Sequence, residues 1–406
     1  MLTMLATALM GGQVFAEVTG TGIEGYDKSV SSGSDYYGKY SETESVSGGN
    51  VTVKKETTGQ VPNDAQVIGG RSKAGEASNN MVTMQGGTVR SIYGGNGSTG
   101  ASNNTVTMQG GSVSGTIYGG WGSTGASNNT VTMQGGSVSG TISGGNGGTA
   151  GDSYNNTVVM TGGSAQTLHG GNSGNNYTAS GNVVIVTGGS ISSILSAGYA
   201  GVGTHNNKMH LVGNGASNVN IADAQGVIST SGYTGDVAGI SLYYVFGGYA
   251  SQGTSTGNSI DIYGTGIRIS GMLSRMQILT FNITDGQMTG QNAEAALSLT
   301  SANAKEALNL ADVGVQIKNL DVQEWTPGAS ITLVQSAQAI QGLEDGKMVD
   351  ITNATGAKVA QGKLQLVNGL DGTHLLNLTV QGNVPEPTTG TLSLLALAAL
   401  AARRRK

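Results

Sequence analysis

The sequence predicts an all-β fold: a right-handed parallel β-helix solenoid with rungs of about 25 residues, a β-rich C-terminal cap and a short C-terminal hydrophobic helix. Three observations carry that expectation. The first is self-similarity. Residues 79–102 read NNMVTMQGGTVRSIYGGNGSTGAS and residues 103–127 read NNTVTMQGGSVSGTIYGGWGSTGAS. The Asn pairs start at 79, 103, 128 and 155, in steps of 24, 25 and 27. A period of this length marks a stack whose units cannot bury their apolar faces alone. The second is alternation: Val106 and Met108 are apolar, while Thr105, Thr107 and Gln109 between them are polar. Period two in short runs means strands, not helix. The third is punctuation. Gly110-Gly111 and Gly119-Gly120 supply the backbone freedom of tight corners.

Stacked rungs pair at a spacing of roughly 4.8 Å, so equivalent residues fall into inward columns. One runs Val82, Val106, Val131, Val158, Val184, Met209, Ile260, and the next Met84, Met108, Met133, Met160, Val186, Leu211, Ile262. A third holds Val89, Val113 and Val138, and a fourth Ile92, Ile117, Ile142, Leu168 and Ile194. Thr and Asn are expected outside, in ladders whose side chains bond along the axis.

In chain order, residues 1–16 resemble a secretory signal cleaved before Glu17, with the small residues a signal peptidase favours ahead of the cut. No Lys or Arg precedes its apolar run, so the signal is atypical or its start lies upstream; the competing reading is a buried first strand. Residues 17–47 read as a cap or a loose leader. The β-helix repeats are assigned to 48–285, and 286–383 to a β-rich cap with hairpins at Asp345-Gly346 and Asp371-Gly372. Within that cap, 293–310 reads as helical turns or a divergent rung.

The last 23 residues, 384–406, form the most specific local pattern. Pro385-Glu386-Pro387 is followed by the uncharged run TTGTLSLLALAALAA and then Arg403-Arg404-Arg405-Lys406. A short apolar run closed by basic residues suits a helix whose charged end stays on the cytoplasmic side. This tail resembles a PEP-CTERM sorting signal. The resemblance implies export from a Gram-negative bacterium, transient inner-membrane anchoring through the hydrophobic helix, and cutting by an exosortase-type processing enzyme. It carries the family's motif onto Pro385, Glu386, Pro387, Arg403, Arg404 and Arg405, and implies a final place on the cell surface or outside the cell. The NNTVT repeats resemble the passenger domains of autotransporter adhesins. No outer-membrane barrel pattern is seen before Lys406, so the sorting tail is expected to replace self-translocation.

Composition excludes several function classes. There are no cysteines, hence no disulfide framework and no thiolate chemistry. A net charge of −5 with only 11% charged residues does not suit nucleic-acid binding. Between 79 and 215 the one acidic residue is Asp152, which leaves no carboxylate pair for glycoside chemistry in the clear rungs. His169, His205, His210 and His374 lack ligand or triad spacing. Gly144-Gly145-Asn146-Gly147 resembles a calcium-roll turn but has Thr149 where such rolls need Asp. No catalytic residue, metal site or cofactor is therefore expected.

One surface feature remains. If Ile92 and Ile117 point in, Tyr93 and Tyr118 point out with Trp121 nearby, continuing as Ser143, His169 and Leu195. Outward rings stack on sugars, so host or matrix glycans are candidate partners there; the bland reading is ladder packing. The expected function is that of a secreted, surface-displayed, non-enzymatic protein, adhesin-like or structural. The alternative is a carbohydrate-active β-helix enzyme (polysaccharide lyase or glycosidase) with its site in the irregular 216–245 segment.

Overall fold

The structure is a computed structural model that describes residues 23–25, 27, 35–54, 64–214, 216, 220–223, 226–229, 240–283, 294–319, 326–369 and 371–383. The signal-like segment 1–16 and the tail 384–406, with its hydrophobic run, lie outside the described residues. What is described is an all-β solenoid of about eight turns, and Ala304–Glu306, a single 3-10 turn, is its helical content.

Each rung contributes to three parallel faces. On the first, Met81–Met84, Thr105–Met108, Thr130–Met133, Thr157–Met160, Val183–Val186 and Lys208–Val212 stack in register. On the second, Ser91–Gly97, Ile117–Gly122, Ser137–Asn146, Ser164–Asn172 and Ser190–Ala200 follow one another. The third is made of short pieces such as Ala101–Ser102, Gly125–Ser127 and Asp152–Tyr154. The first two apolar columns pair as the repeat predicts, Val82 to Val106 to Val131 to Val158 to Val184 to Met209 to Ile260. All seven are fully buried. At roughly 1.5–3 kcal/mol per buried aliphatic side chain, these columns dominate the driving force for stacking.

The fourth column departs from the sequence reading at its last member. Leu168 pairs with Leu195, not with Ile194. The register shifts between Ala165/Thr167 and Ile191/Ile194, where one rung carries an extra residue. That bulge turns Leu195 inward and leaves Ile194 partly exposed.

The Asn pairs make the corners, and the two members do different things. The first takes the left-handed backbone, with φ of 53° at Asn79, 54° at Asn103, 54° at Asn128 and 53° at Asn155, a conformation Asn tolerates better than most residues. Gly181 and Gly257 take the same place before Asn182 and Asn258. The second member points inward, against the expectation that Asn stays outside. Asn104, Asn129, Asn156, Asn182, Asn207 and Asn258 are fully buried. Each donates from Nδ2 to the next one's Oδ1: 2.9 Å from Asn104 to Asn129, 2.9 Å from Asn129 to Asn156, 3.0 Å from Asn156 to Asn182. The same oxygen also accepts the backbone N–H of the preceding Asn at 3.0 Å. Burial is tolerable because every donor and acceptor of the amide finds a partner in the adjacent rung. At the N-terminal end the Gly49 N–H donates to Asn80 Oδ1 at 2.8 Å, and at the other end Gln277 Oε1 accepts from the Asn258 N–H at 2.9 Å.

The stack begins within the expected leader: Asp35–Ser41 pairs in parallel with Gln66–Ser72, and Ile23–Glu24 covers Asn50–Val53 in antiparallel fashion. Asn207 and Asn258 bond directly although 51 residues apart, so the chain between them makes an excursion that contains the hairpin Asn220–Asp223 and Gly226–Ser229. Parallel pairing continues past residue 285, from Ile278–Ile283 to Gly314–Asn319 and on to Met348–Asn353. Within 293–310 lie a rung strand, Leu297–Leu299, and the 3-10 turn. Lys358–Asn368 and His374–Asn383 then pair antiparallel, with Asp371-Gly372 in their connection, and shield the last edge.

Candidate functional site

The outward residues of the second face sort into two rows on either side of the Gly-Gly pair, which lies within the strand and not at the tight corner that the sequence suggests. The first row runs Tyr93, Tyr118, Ser143, His169, Ser196 and Phe246, because the bulge that sends Leu195 inward puts Ser196 in its place. Tyr93 and Tyr118 do come together, with ring centroids 5.6 Å apart at 66°. Burial, then the neighbouring Tyr93, raises the Tyr118 hydroxyl above its ordinary value, while Thr116 and Asn146 hydrogen-bond it. The row then sinks into the protein: Ser143, His169 and Ser196 are all buried.

Trp121 belongs to the second row, in register with Asn96, Asn146, Asn172, Tyr199 and Tyr249. Its ring leans toward Gly148 and has no ring partner among the described residues. The three candidate glycan residues thus form one aromatic pair and one separate indole.

His169 Nδ1 lies 3.0 Å from Ser196 Oγ. A serine–histidine contact invites a nucleophilic reading, but Ser196 is fully enclosed and the ring's other neighbour is Tyr199, 4.8 Å away, not a carboxylate. Burial pushes the His169 imidazole down to about 4, so it stays neutral. A histidine with a folded-state value below its unfolded one contributes stability above the unfolded value of roughly 6.5 and loses it as the pH falls toward the folded value. The unfolding free energy from urea titrations between pH 7 and pH 4 should therefore fall for the wild type, by up to about 3 kcal/mol over that window. A His169→Gln variant should lack this part of the loss.

The pairing of rungs produces one contact that spacing along the chain hid. His210 and Asp261 are adjacent in register, with Nδ1 3.3 Å from Oδ2, and the Tyr263 hydroxyl is also 3.3 Å from Nδ1. The flanking columns Met209/Ile260 and Leu211/Ile262 hold the signal that could have found it, since His210 and Asp261 lie between them. Burial pushes the Asp261 carboxyl up, but His210, Thr280 and Lys318 outweigh it and the net shift is downward, toward a stable carboxylate. His210 Nε2 is buried and has no hydrogen-bond partner among the described residues. Val159, Val183, Ile185, Val212, Ala216 and Tyr263 form a separate apolar cluster on this side of the sheet.

At the C-terminal end Glu294 and Asp371 line one hollow. The side chain and then the backbone of Thr373 hold the Asp371 carboxyl below its ordinary value, and Glu294 faces Arg268 at 3.4 Å. The downward shift of Asp371 is the opposite of what a general acid needs. Among the described residues no group of three His, Asp or Glu is placed to hold a metal, and no helix is long and apolar enough to cross a membrane.

No curated protein and no solved structure matches the chain. Residues 383–406 match the family model of the PEP-CTERM protein-sorting motif, so the tail that sequence reading singled out at Pro385, Glu386 and Pro387 is a signal for export and for exosortase-type sorting at the membrane of a Gram-negative bacterium.

Proposed function

We propose that the protein is a surface-displayed or extracellular rod with an adhesin-like or matrix-structural role and no enzymatic activity. The observation that carries this reading is the use made of the polar groups: the buried amides of 104 through 258 bond rung to rung, and His169 and Ser196 satisfy each other. Polar side chains here hold the coil together instead of converging on a substrate. The coil is read as right-handed, in the manner of adhesin passengers, and the 388–402 run as the helix that anchors the precursor before processing. Glycans are the partners best suited to its partly exposed rings, Trp121 among them.

Export is tested by changing Pro385, Glu386 and Pro387 to alanine in an exosortase-proficient host. The variant should remain as unprocessed precursor in the membrane fraction, while the wild type reaches the surface or medium at reduced mass. Equal surface display of both would overturn the sorting route. The second reading, a carbohydrate-active enzyme, is favoured by the His210–Asp261 pair, whose neighbour Tyr263 belongs to the same apolar cluster as Ala216. Turnover of pectin, mucin or another polysaccharide that disappears in His210→Ala would establish it in place of the structural role.

A further inference from the structure

The second outward row stays at the surface where the first sinks into the protein. Trp121, Asn146, Asn172, Tyr199 and Tyr249 follow one another at one residue per rung, all partly exposed, and none of these positions carries a carboxylate. Asp152 is the one acidic residue between 79 and 215, so little negative charge opposes an anion along this part of the coil. The row offers amides, an indole and phenols, groups that can donate toward negative oxygens.

At its end the row is capped by a cation. Arg275 lies over the Tyr249 ring at 4.2 Å; Tyr249 stacks on Tyr199 at 5.1 Å and 4°; Tyr199 meets His169 at 4.8 Å. These contacts occupy the faces of both tyrosines, so their edges turn outward. Ring edges carry the positive part of the aromatic quadrupole and favour anions, whereas neutral sugars stack on open faces. Arg275 is exposed and forms no ion pair among the described residues; one Nη1 contact goes to the Ala250 carbonyl at 2.8 Å. Its backbone is left-handed, φ 59°, and every other non-glycine residue with positive φ among the described residues is an asparagine. An arginine held in so unfavourable a conformation points to a use for its side chain.

We propose that this strip binds a linear acidic polysaccharide laid along the solenoid axis, with Arg275 pairing a sugar carboxylate and the amide and phenol row following the chain. Repeating carboxylates on an extended polymer match donors that recur at the rung spacing of roughly 4.8 Å. Nucleic acid fits less well, since it needs clustered cations and the strip has one. The opposite end is not part of the site, because Arg71 sits among Asp35, Tyr37 and Glu42. The proposal rests on surface display but is read out separately from it.

The test uses the purified full chain and three probes: alginate, neutral dextran and a single-stranded DNA oligonucleotide, at about 0.01 M and about 1 M salt. Alginate should bind, more weakly at high salt, and dextran and DNA should not. Arg275→Asn keeps a residue suited to the left-handed corner and should weaken alginate binding about tenfold, as expected for loss of one charged hydrogen-bonding partner. Arg268→Gln, a cation elsewhere that faces Glu294, should leave it unchanged. The proposal is overturned if alginate does not bind, if dextran or DNA binds as tightly, or if Arg275→Asn binds alginate like the wild type. None of these results touches the sorting experiment, which reads location.

Discussion

Asn129→Ala is expected to lower the unfolding free energy by about 4 kcal/mol or more, one of the largest effects available to a single polar substitution in this protein. Asn129 is fully buried. Its Oδ1 accepts from the Asn104 backbone N–H at 3.0 Å and from Asn104 Nδ2 at 2.9 Å, and its own Nδ2 donates to the Ala101 carbonyl at 3.0 Å and to Asn156 Oδ1 at 2.9 Å. Alanine leaves two donors and one carbonyl without partners in a dry corner, each costing roughly 1–3 kcal/mol. The neighbouring Asn128 provides the comparison. It is exposed and left-handed, so Asn128→Ala should cost only about 1 kcal/mol and Asn128→Gly close to nothing, as Gly181 and Gly257 already show by occupying that corner. Denaturant midpoints for the three variants give the ranking. If Asn129→Ala and Asn128→Ala cost the same, the ladder is not a stabilising element. Because a solenoid couples mainly nearest neighbours, faster amide exchange after Asn129→Ala should concentrate in the rungs on either side.

Much of this architecture was legible before any coordinates. Strand alternation and rung period are imposed by the stacking itself, so Val82, Val106 and Val131 announce their column simply by recurring. What escaped notice has physical reasons. Asn104 and Asn129 carry no apolar signal, and their burial makes sense only once the neighbouring amide is in place. The bulge before Leu195 adds one residue, which a reading by period alone cannot see, and it moved both Ile194 and Ser196. Past Asn258 the corners change from an amide ladder to other turns after Gln277, so the repeat fades from the text while parallel pairing continues. Of the candidate site residues, Tyr93 and Tyr118 share a column and their rings meet. Trp121 lies on the other side of the Gly-Gly pair, in the row that leads to Tyr199, Tyr249 and Arg275.

The Gly-Gly pair and the Asn pair are one device, and a double-mutant cycle should show it. A Cβ on Gly120 would come within 2.6 Å of Asn129 Nδ2 and 2.6 Å of its Oδ1. The amide cannot move aside, because its four hydrogen bonds hold it between Asn104 and Asn156. Gly120→Ala alone should therefore cost about 3 kcal/mol, by overpacking and by disturbing those bonds. In the Asn129→Ala background the obstacle is gone, and the same change should cost about 1 kcal/mol, a coupling of about 2 kcal/mol. Gly119 supplies the contrast. Its Cβ would meet the Gly144 carbonyl oxygen, a backbone atom, at 2.3 Å, so removing the Asn129 amide offers little relief and Gly119→Ala should stay costly in both backgrounds. Additive costs for Gly120→Ala and Asn129→Ala would mean that the missing side chain at Gly120 serves the turn and not the amide. Coupling at Gly120 but little at Gly119 would explain why the two doublets recur together from rung to rung: one glycine lets successive rungs close on each other, and the other makes room for the amide that bonds them.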